Sequence, residues 1–269
     1  MIILFIFFIL GILYIFAIKG RRNSQKMQNL TKWDYAHRGL HDKNAGIPEN
    51  SLAAFKAACD SGYGAELDVH ILKDNSLAVI HDSSLLRTTG KEGNVEDLTH
   101  SELKNFFLEG TTETIPAFED VLSIFEGHAP LIIELKTTGK NAARLCKAVC
   151  EVLDNYKGAF CIESFDPRCL VWLRRHRPQF LRGQLSQNFI KRPSGFGKIA
   201  DFLLTSLFLN IFTRPDFIAY HHSDTKNISF RLATKIFKTQ GAVWTVTKRS
   251  DYEKAKKEKY MVIFEGFKP

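Results

Sequence analysis

From residue 33 to the C-terminus, short apolar runs alternate with amphipathic segments of helical period, an order that predicts parallel strands joined by crossover helices. Strand candidates lie at 33–37, 64–70, 77–81, 130–135, 159–164, 181–185, 216–220, 242–246 and 260–264, one more than a closed eight-stranded barrel requires. The surplus strand identifies itself. Only Lys73-Asp74-Asn75-Ser76 separates 64–70 from 77–81, too little chain for a parallel crossover, so these two runs pair as an antiparallel hairpin. Eight strands remain, and the expected fold class is α/β, a (β/α)₈ barrel.

Helices fit between the strands. One starts with Asn50 or Ser51 as its N-cap and ends near Ser61-Gly62, and another runs from Pro116 to Phe125. Residues 83–112 are a small polar insertion after the second barrel strand, with a short helix over Ser101 to Leu108 opened by a Thr99-x-x-Glu102 capping box. On a barrel this insertion sits over the catalytic face. A second long connection, 187–214, carries the apolar run Phe196 to Phe212, interrupted by Lys198, Asp201 and Asn210. Two readings of that run stand open: an ordinary barrel helix packed on the core, or a segment that dips into a membrane.

The N-terminus follows a different pattern. Met1 to Ile18 holds only apolar residues plus Gly11 and Tyr14, and the positive charges follow it as Lys19, Arg21, Arg22 and Lys26. A run of that length just spans a bilayer's hydrocarbon, and a secretory signal would place its charges first. Residues 1–18 are therefore expected to be an uncleaved single-pass transmembrane anchor, 19–31 a basic juxtamembrane linker, and 32–269 the catalytic domain. Because basic flanks tend to stay in the cytoplasm, the catalytic domain is expected on the cytoplasmic side of the membrane.

A length of 269 residues with 45% apolar content allows one large core and a short appendage. The formal charge of +8 suits an anionic membrane or an anionic phosphate substrate. Nucleic acid is not an expected partner, because the basic residues are not interleaved with aromatics along one surface. Cys59, Cys146, Cys150, Cys161 and Cys169 form no C-x-x-C pair, and their odd number excludes complete intramolecular pairing; buried thiols are expected.

Strand periodicity locates the chemistry. Glu66 and Asp68 lie two apart in Gly64-Ala-Glu-Leu-Asp-Val-His70, so both point to one face while Leu67 and Val69 point to the other. Inside a barrel two ionised carboxylates need a cation, and their hard oxygen donors suit Mg²⁺ or Ca²⁺. Ile132-Ile-Glu134-Leu-Lys136 repeats the pattern and adds a third carboxylate and a lysine. His37 and Arg38 end the first strand, at the functional face of a parallel barrel. A hairpin centred between Asp74 and Asn75 sets His81 opposite Asp68. Two histidines that share base and acid roles, a divalent cation, and Arg38 on the phosphoryl oxygens together fit phosphodiester cleavage.

His37-Arg-Gly39, Pro48-Glu-Asn50, Glu66-Leu-Asp68-Val, Val79-Ile-His81-Asp82, Leu86-Arg-Thr-Thr89, Ile115-Pro116 and Glu134-Leu-Lys136 occur in this order. The series resembles the glycerophosphodiester phosphodiesterase family, a TIM-barrel family with a small insertion after the second barrel strand. The likeness runs from about Tyr35 to Leu185 and resumes at Asp216-Phe-Ile-Ala-Tyr220 and Val243-Trp-Thr-Val246. It implies metal-dependent hydrolysis of glycerophosphodiesters to sn-glycerol 3-phosphate and an alcohol. The nucleophile would be the substrate's neighbouring glycerol hydroxyl, and water would then open a cyclic phosphate.

By the same resemblance Glu66, Asp68 and Glu134 bind the metal, His37 and His81 act as general acid and base, and Arg38 and Lys136 hold the phosphate. Glu49 supports them, and Trp244 or Phe165 lines the glycerol pocket. The family often ends its last strand with aspartate and proline, whereas this chain reads Ile263-Phe-Glu-Gly-Phe-Lys-Pro269, which shifts the carboxylate to Glu265. The rival readings are a lysophospholipase D or phospholipid-cleaving lyase at the membrane, and a non-catalytic, membrane-tethered protein that binds glycerophosphodiesters.

Overall fold

Alternation along each strand sorts side chains between the interior of a barrel and its helical coat. In the computed structural model, which describes residues 2–21 and 25–269, nine strands form: β1 Asp34–His37, β2 Gly64–Ile71, β3 Leu77–Val79, β4 Leu131–Leu135, β5 Phe160–Ser164, β6 Arg182–Ser186, β7 Phe217–His221, β8 Gln240–Val246 and β9 Met261–Phe264. Their order is β1-β9-β8-β7-β6-β5-β4-β2-β3, and a β1–β2 pairing closes the ring. All neighbours are parallel except β2 and β3, so eight strands make the barrel and β3 hangs on β2 as an antiparallel hairpin. Met1 and residues 22–24, including Arg22 of the basic flank, lie outside the described residues.

Two layers fill the interior. Tyr35, Ile132, Cys161, Phe217 and Met261 are buried together in an apolar floor. Helix Gln25–Leu30 closes that floor, with Met27 and Leu30 buried and the Tyr35 hydroxyl donating to the Leu30 carbonyl at 2.8 Å. Two residues further along their strands, His37, Glu134 and Glu163 follow Tyr35, Ile132 and Cys161. The residues between them, Ala36, Ile133 and Ile162, belong to a second apolar cluster with Phe55, Phe118 and Leu170 of the surrounding helices.

Helix Leu52–Asp60 starts where its cap residue predicts: the Ser51 side chain accepts from the Ala54 N–H. The helix expected from Pro116 occupies Phe118–Phe125. The insertion carries the Thr99/Glu102 capping box, but the turn it opens is a 3₁₀ helix, His100–Asn105, shorter than the helix expected to reach Leu108. Leu85, Val95, Leu103 and Leu108 form a small core of their own against Ala78 and Ile80.

The hairpin register differs from expectation by one residue. Val69 faces Val79 and His70 faces Ala78, and the Ile80 N–H donates to the Asp68 carbonyl at 3.1 Å, so Ile80, not His81, lies opposite Asp68. The reason is the turn. Leu72 N–H donates to Ser76 O at 2.9 Å and Asn75 takes the left-handed conformation (φ 69°), which centres the loop on Asp74. A slip of one would reverse the side of every following residue on a continuing strand. Strand β3 ends at Val79, which leaves His81 free of that alternation.

The transmembrane anchor expected over residues 1–18 is not found. Helix Ile2–Ala17 has 16 residues, about 24 Å of rise against a hydrocarbon core of about 30 Å. No described helix is long and apolar enough to cross a membrane. The last turn is instead committed to the barrel wall: Ala17 and Ile18 are fully buried, and Asn210 Nδ2 donates to the Ile18 carbonyl at 3.0 Å.

Glu96 fastens the insertion to the barrel, bonding His70 Nδ1 (2.8 Å) on β2, Ser83 Oγ (2.6 Å) and Thr138 Oγ1 (2.5 Å). Partial burial would raise its pKa, but these partners outweigh it and hold the carboxyl at about 2. A depressed folded value means stability that is present above the unfolded value and lost as pH falls through the folded one. Glu96→Ala is therefore expected to lower unfolding stability at neutral pH by about 1–3 kcal/mol. In denaturant melts the gap to the wild type should close as pH falls from about 4.5 toward 2.

Candidate active site

The C-terminal ends of the barrel strands bring the acidic residues to one point. Asp68 and Glu134 are register partners on β2 and β4, and Glu134 and Glu163 are partners on β4 and β5. Glu66, Asp68 and Glu134 are all buried, and each offers a carboxylate oxygen within 4.8 Å of the others'. Asp68 Oδ1 has no hydrogen-bond donor although it is buried, and Lys136 Nζ lies 3.4 Å from it. A cluster of hard oxygen donors with an orphaned acceptor fits a divalent cation.

The electrostatics carry the same message. Burial, then the charges of Asp68, Glu134 and Glu163, push Glu66 well above the ordinary carboxylate range. Glu134 is raised by burial against the pull of Lys136, and Glu163 is raised by burial and by its acidic neighbours. Asp68 moves the other way: burial would raise it, but Lys136, His81, Arg38 and a hydrogen bond from Asn50 Nδ2 (2.9 Å) together hold it ionised. Lys136 also donates to Glu134 at 3.0 Å, and these two carboxylates keep it charged despite burial. Four acids thus face a local charge of two cations, and a bound divalent ion would allow more of them to ionise.

Arg38 is positioned by its own backbone. It adopts the left-handed conformation (φ 55°), and its N–H donates to Glu66 Oε2 at 3.1 Å. Gly39 next to it has φ 80°, and a Cβ there would stand 2.8 Å from the Ala54 backbone carbon, so only glycine fits the turn. The Arg38 guanidinium pairs with Glu49 at 2.8 Å and comes within 3.6 Å of Asp68. Glu49 bonds Arg87 as well, at 2.7 and 2.9 Å, and although burial raises it, the two arginines hold it at about 2.

The two histidines are built alike. His37 Nδ1 bonds Glu265 at 2.5 Å and its Nε2 lies 4.0 Å from Glu66. His81 Nδ1 bonds Asp82 at 2.6 Å. In each, a carboxylate that accepts a hydrogen bond from Nδ1–H leaves the Nε2 lone pair free for proton transfer. Burial lowers both histidines and so favours the neutral ring, while each carboxylate partner opposes that shift. His37, Arg38, Glu66, His81 and Glu134 line one cavity with Glu163, Phe165 and Trp244, whose rings meet edge to face at 5.5 Å.

Each residue singled out from the sequence therefore lies at this cavity or directly behind it. His81 arrives through the chain beyond β3 rather than through the strand pairing expected for it. Glu163, Asp82 and Asn50 are additional. Glu163 had a visible signal, since Cys161-Ile-Glu163 repeats the apolar and acidic alternation of Ile132-Ile-Glu134.

The glycerophosphoryl diester phosphodiesterase family model matches residues 37–265. A glycerophosphodiester phosphodiesterase of Bacillus altitudinis is 33% identical over 175 residues, 61% of this chain and 70% of that protein. A rat lysophospholipase D is 33% identical over 148 residues, 50% of this chain and 45% of that protein. The crystal structure of a glycerophosphodiester phosphodiesterase from Thermotoga maritima superposes with a TM-score of 0.66 at 26% identity, covering 86% of this chain and 92% of that one. With the family model spanning both histidines, all the clustered carboxylates and Glu265, this chain belongs to the glycerophosphoryl diester phosphodiesterase family.

Proposed function

We propose that this chain hydrolyses glycerophosphodiesters to sn-glycerol 3-phosphate and an alcohol, with His37 and His81 as the proton-transfer pair. The observation that carries the reading is the pair of imidazoles, each anchored at Nδ1 by its own carboxylate, lining one cavity with Glu66 and Glu134, which with Asp68 form a cluster that could hold a metal ion. One imidazole withdraws the proton of the glycerol hydroxyl next to the phosphate as that oxygen bonds phosphorus. The other protonates the departing alcohol oxygen as its bond to phosphorus breaks. Water then opens the cyclic phosphate with the two roles exchanged.

Arg38 and Lys136 neutralise the non-bridging phosphoryl oxygens, and Glu49, bonded to both Arg38 and Arg87, fixes the guanidinium. The Trp244 and Phe165 rings form the wall against which the glycerol carbons pack. Glu66, Asp68 and Glu134 would hold Mg²⁺ or Ca²⁺, which supplies Lewis-acid stabilisation of phosphoryl charge. A lysophospholipid is the second reading of the substrate, supported by the aromatic wall, which continues through Phe189 to the exposed Ile190.

Release of sn-glycerol 3-phosphate from glycerophosphocholine and from lysophosphatidylcholine is the direct assay. Turnover of the first is expected with Mg²⁺ or Ca²⁺ and not with chelator. His37→Ala and His81→Ala should each lower kcat by about 10²–10⁴-fold while leaving the melting temperature within a few degrees. A folded, metal-loaded chain silent on both substrates would overturn the hydrolytic reading. Independently of turnover, Mg²⁺ or Ca²⁺ at a hundredfold excess over Kd should raise the wild-type melting temperature by about 5–10 °C. Asp68→Ala should abolish that rise.

A further inference from the structure

Helix Lys198–Thr205 is inverted relative to an ordinary barrel helix. It buries Asp201 and Thr205 and turns Ile199 and Phe202, 79% and 58% exposed, to the outside, with Phe196 just ahead at 83%. The buried face is fixed by polar bonds: Asp201 accepts from the Ser194 backbone N–H at 2.9 Å, and Thr205 Oγ1 accepts from the Phe189 N–H at 2.8 Å. The exposed apolar face is therefore held outward by bonds on the other side of the same helix. Over Phe196–Phe202 the core packing that one reading of this segment anticipated is absent, whereas Leu207 of the same run is buried in the core.

The N-terminal helix joins this surface. Phe8, Ile12, Leu13 and Phe16 are exposed, and the helix is tied to the same wall through Tyr14, whose hydroxyl bonds Ser229 and reaches the Ser206 carbonyl at 3.5 Å. Arg214 donates to the Phe16 and Lys19 carbonyls at 3.3 and 3.0 Å. Two apolar elements, far apart in sequence, are thereby joined at their bases.

Charge says what covers them. Residues 1–21, which carry the N-terminal helix down to its base, contain no acidic residue and end in Lys19 and Arg21. Residues 188–214 carry Lys191, Arg192, Lys198 and Arg214, and their one acid, Asp201, is buried. Arg21 pairs with the buried Asp216, and Lys191 and Arg192 pair with Asp224, but Lys19, Lys198 and Arg214 have no acidic partner among the described residues. Exposed aromatic and aliphatic side chains bordered by this net positive charge match the boundary between headgroups and acyl chains of an anionic bilayer. A second copy of this chain would bring the same positive charge to the contact.

We propose that helix Ile2–Ala17 and the Phe196–Phe202 face form one interfacial surface that seats the protein on an anionic membrane, with the mouth of the active site beside it. The mouth is adjacent because this segment begins at the site's own aromatic wall. Phe189 packs on Phe165 at 6.0 Å, and Phe165 on Trp244. This surface is independent of which diester the site cleaves.

The test uses the full chain with vesicles of phosphatidylcholine and phosphatidylglycerol whose acyl chains are brominated. Phe196→Trp and Ile199→Trp lie at exposed positions, so neither disturbs packing, and wild-type emission supplies the background. The added indole emission is expected to shift blue and to be quenched at least twofold by brominated relative to ordinary lipid. Capture of the chain in flotation should be at least fivefold weaker on phosphatidylcholine alone. The proposal is overturned if the chain stays unbound, if it floats with the indole at both positions unquenched, or if capture does not depend on phosphatidylglycerol. Dimerisation without vesicles together with loss of flotation would assign the face to self-association instead.

Discussion

Glu66, Asp68, Glu134 and Glu163 share a buried volume at the mouth of the barrel, and their mutual repulsion is the constraint around which the upper half of the protein is arranged. Carboxylates removed from water resist ionisation, and each neighbour makes the next proton harder to remove. The chain meets this with two inward cations and with unequal treatment of its acids. Asp68 receives Lys136, Arg38, His81 and the Asn50 amide, while Glu66 and Glu163 are left with little positive charge of their own. What remains is a donor set whose full ionisation calls for a divalent cation.

Behind the acids stands a layer of ion pairs that fixes geometry rather than supplying charge. Glu49 joins Arg38 to Arg87, Arg87 in turn pairs with Asp82, and Asp82 bonds His81. One continuous chain of contacts therefore runs from the Arg38 guanidinium to the His81 imidazole. His37 and Glu265 close the opposite side, linking the first barrel strand to the residue after the last. The same pair thus completes the site where the ring of strands closes.

Below this polar layer the barrel is an ordinary apolar core, and the division between the two is set by distance along each strand. Tyr35, Ile132 and Cys161 lie one inward step beneath His37, Glu134 and Glu163. Stability and chemistry are thereby separated in space, with the floor sealed by Met27 and Leu30 and the mouth left to loops. The exposed side chains Phe196 and Ile199, with Phe8, Ile12, Leu13 and Phe16 of the N-terminal helix, lie outside both layers, which is why their exposure calls for a partner.

Much of this was legible in the chain. Period-two alternation identified Glu66, Asp68 and Glu134 as inward residues, and strand count with the short Lys73–Ser76 link fixed the barrel and its hairpin, because both depend only on local geometry. Glu265 as a substitute carboxylate was visible only through the resemblance, as a departure from the aspartate with which the family often ends its last strand. Other features needed the folded molecule. The hairpin register turned on the left-handed conformation of Asn75, and spacing could not distinguish a turn centred on Asp74 from one centred half a residue later. The N-terminal run has a membrane helix's composition, yet its last residues are held in the barrel wall by Asn210 and Arg214, almost two hundred positions away. The outward face of Lys198–Thr205 followed from polar bonds to Ser194 and Phe189 on the other side. Local periodicity determines which residues share a face; which way that face turns is decided by contacts between segments distant in sequence, and those exist only once the barrel has closed.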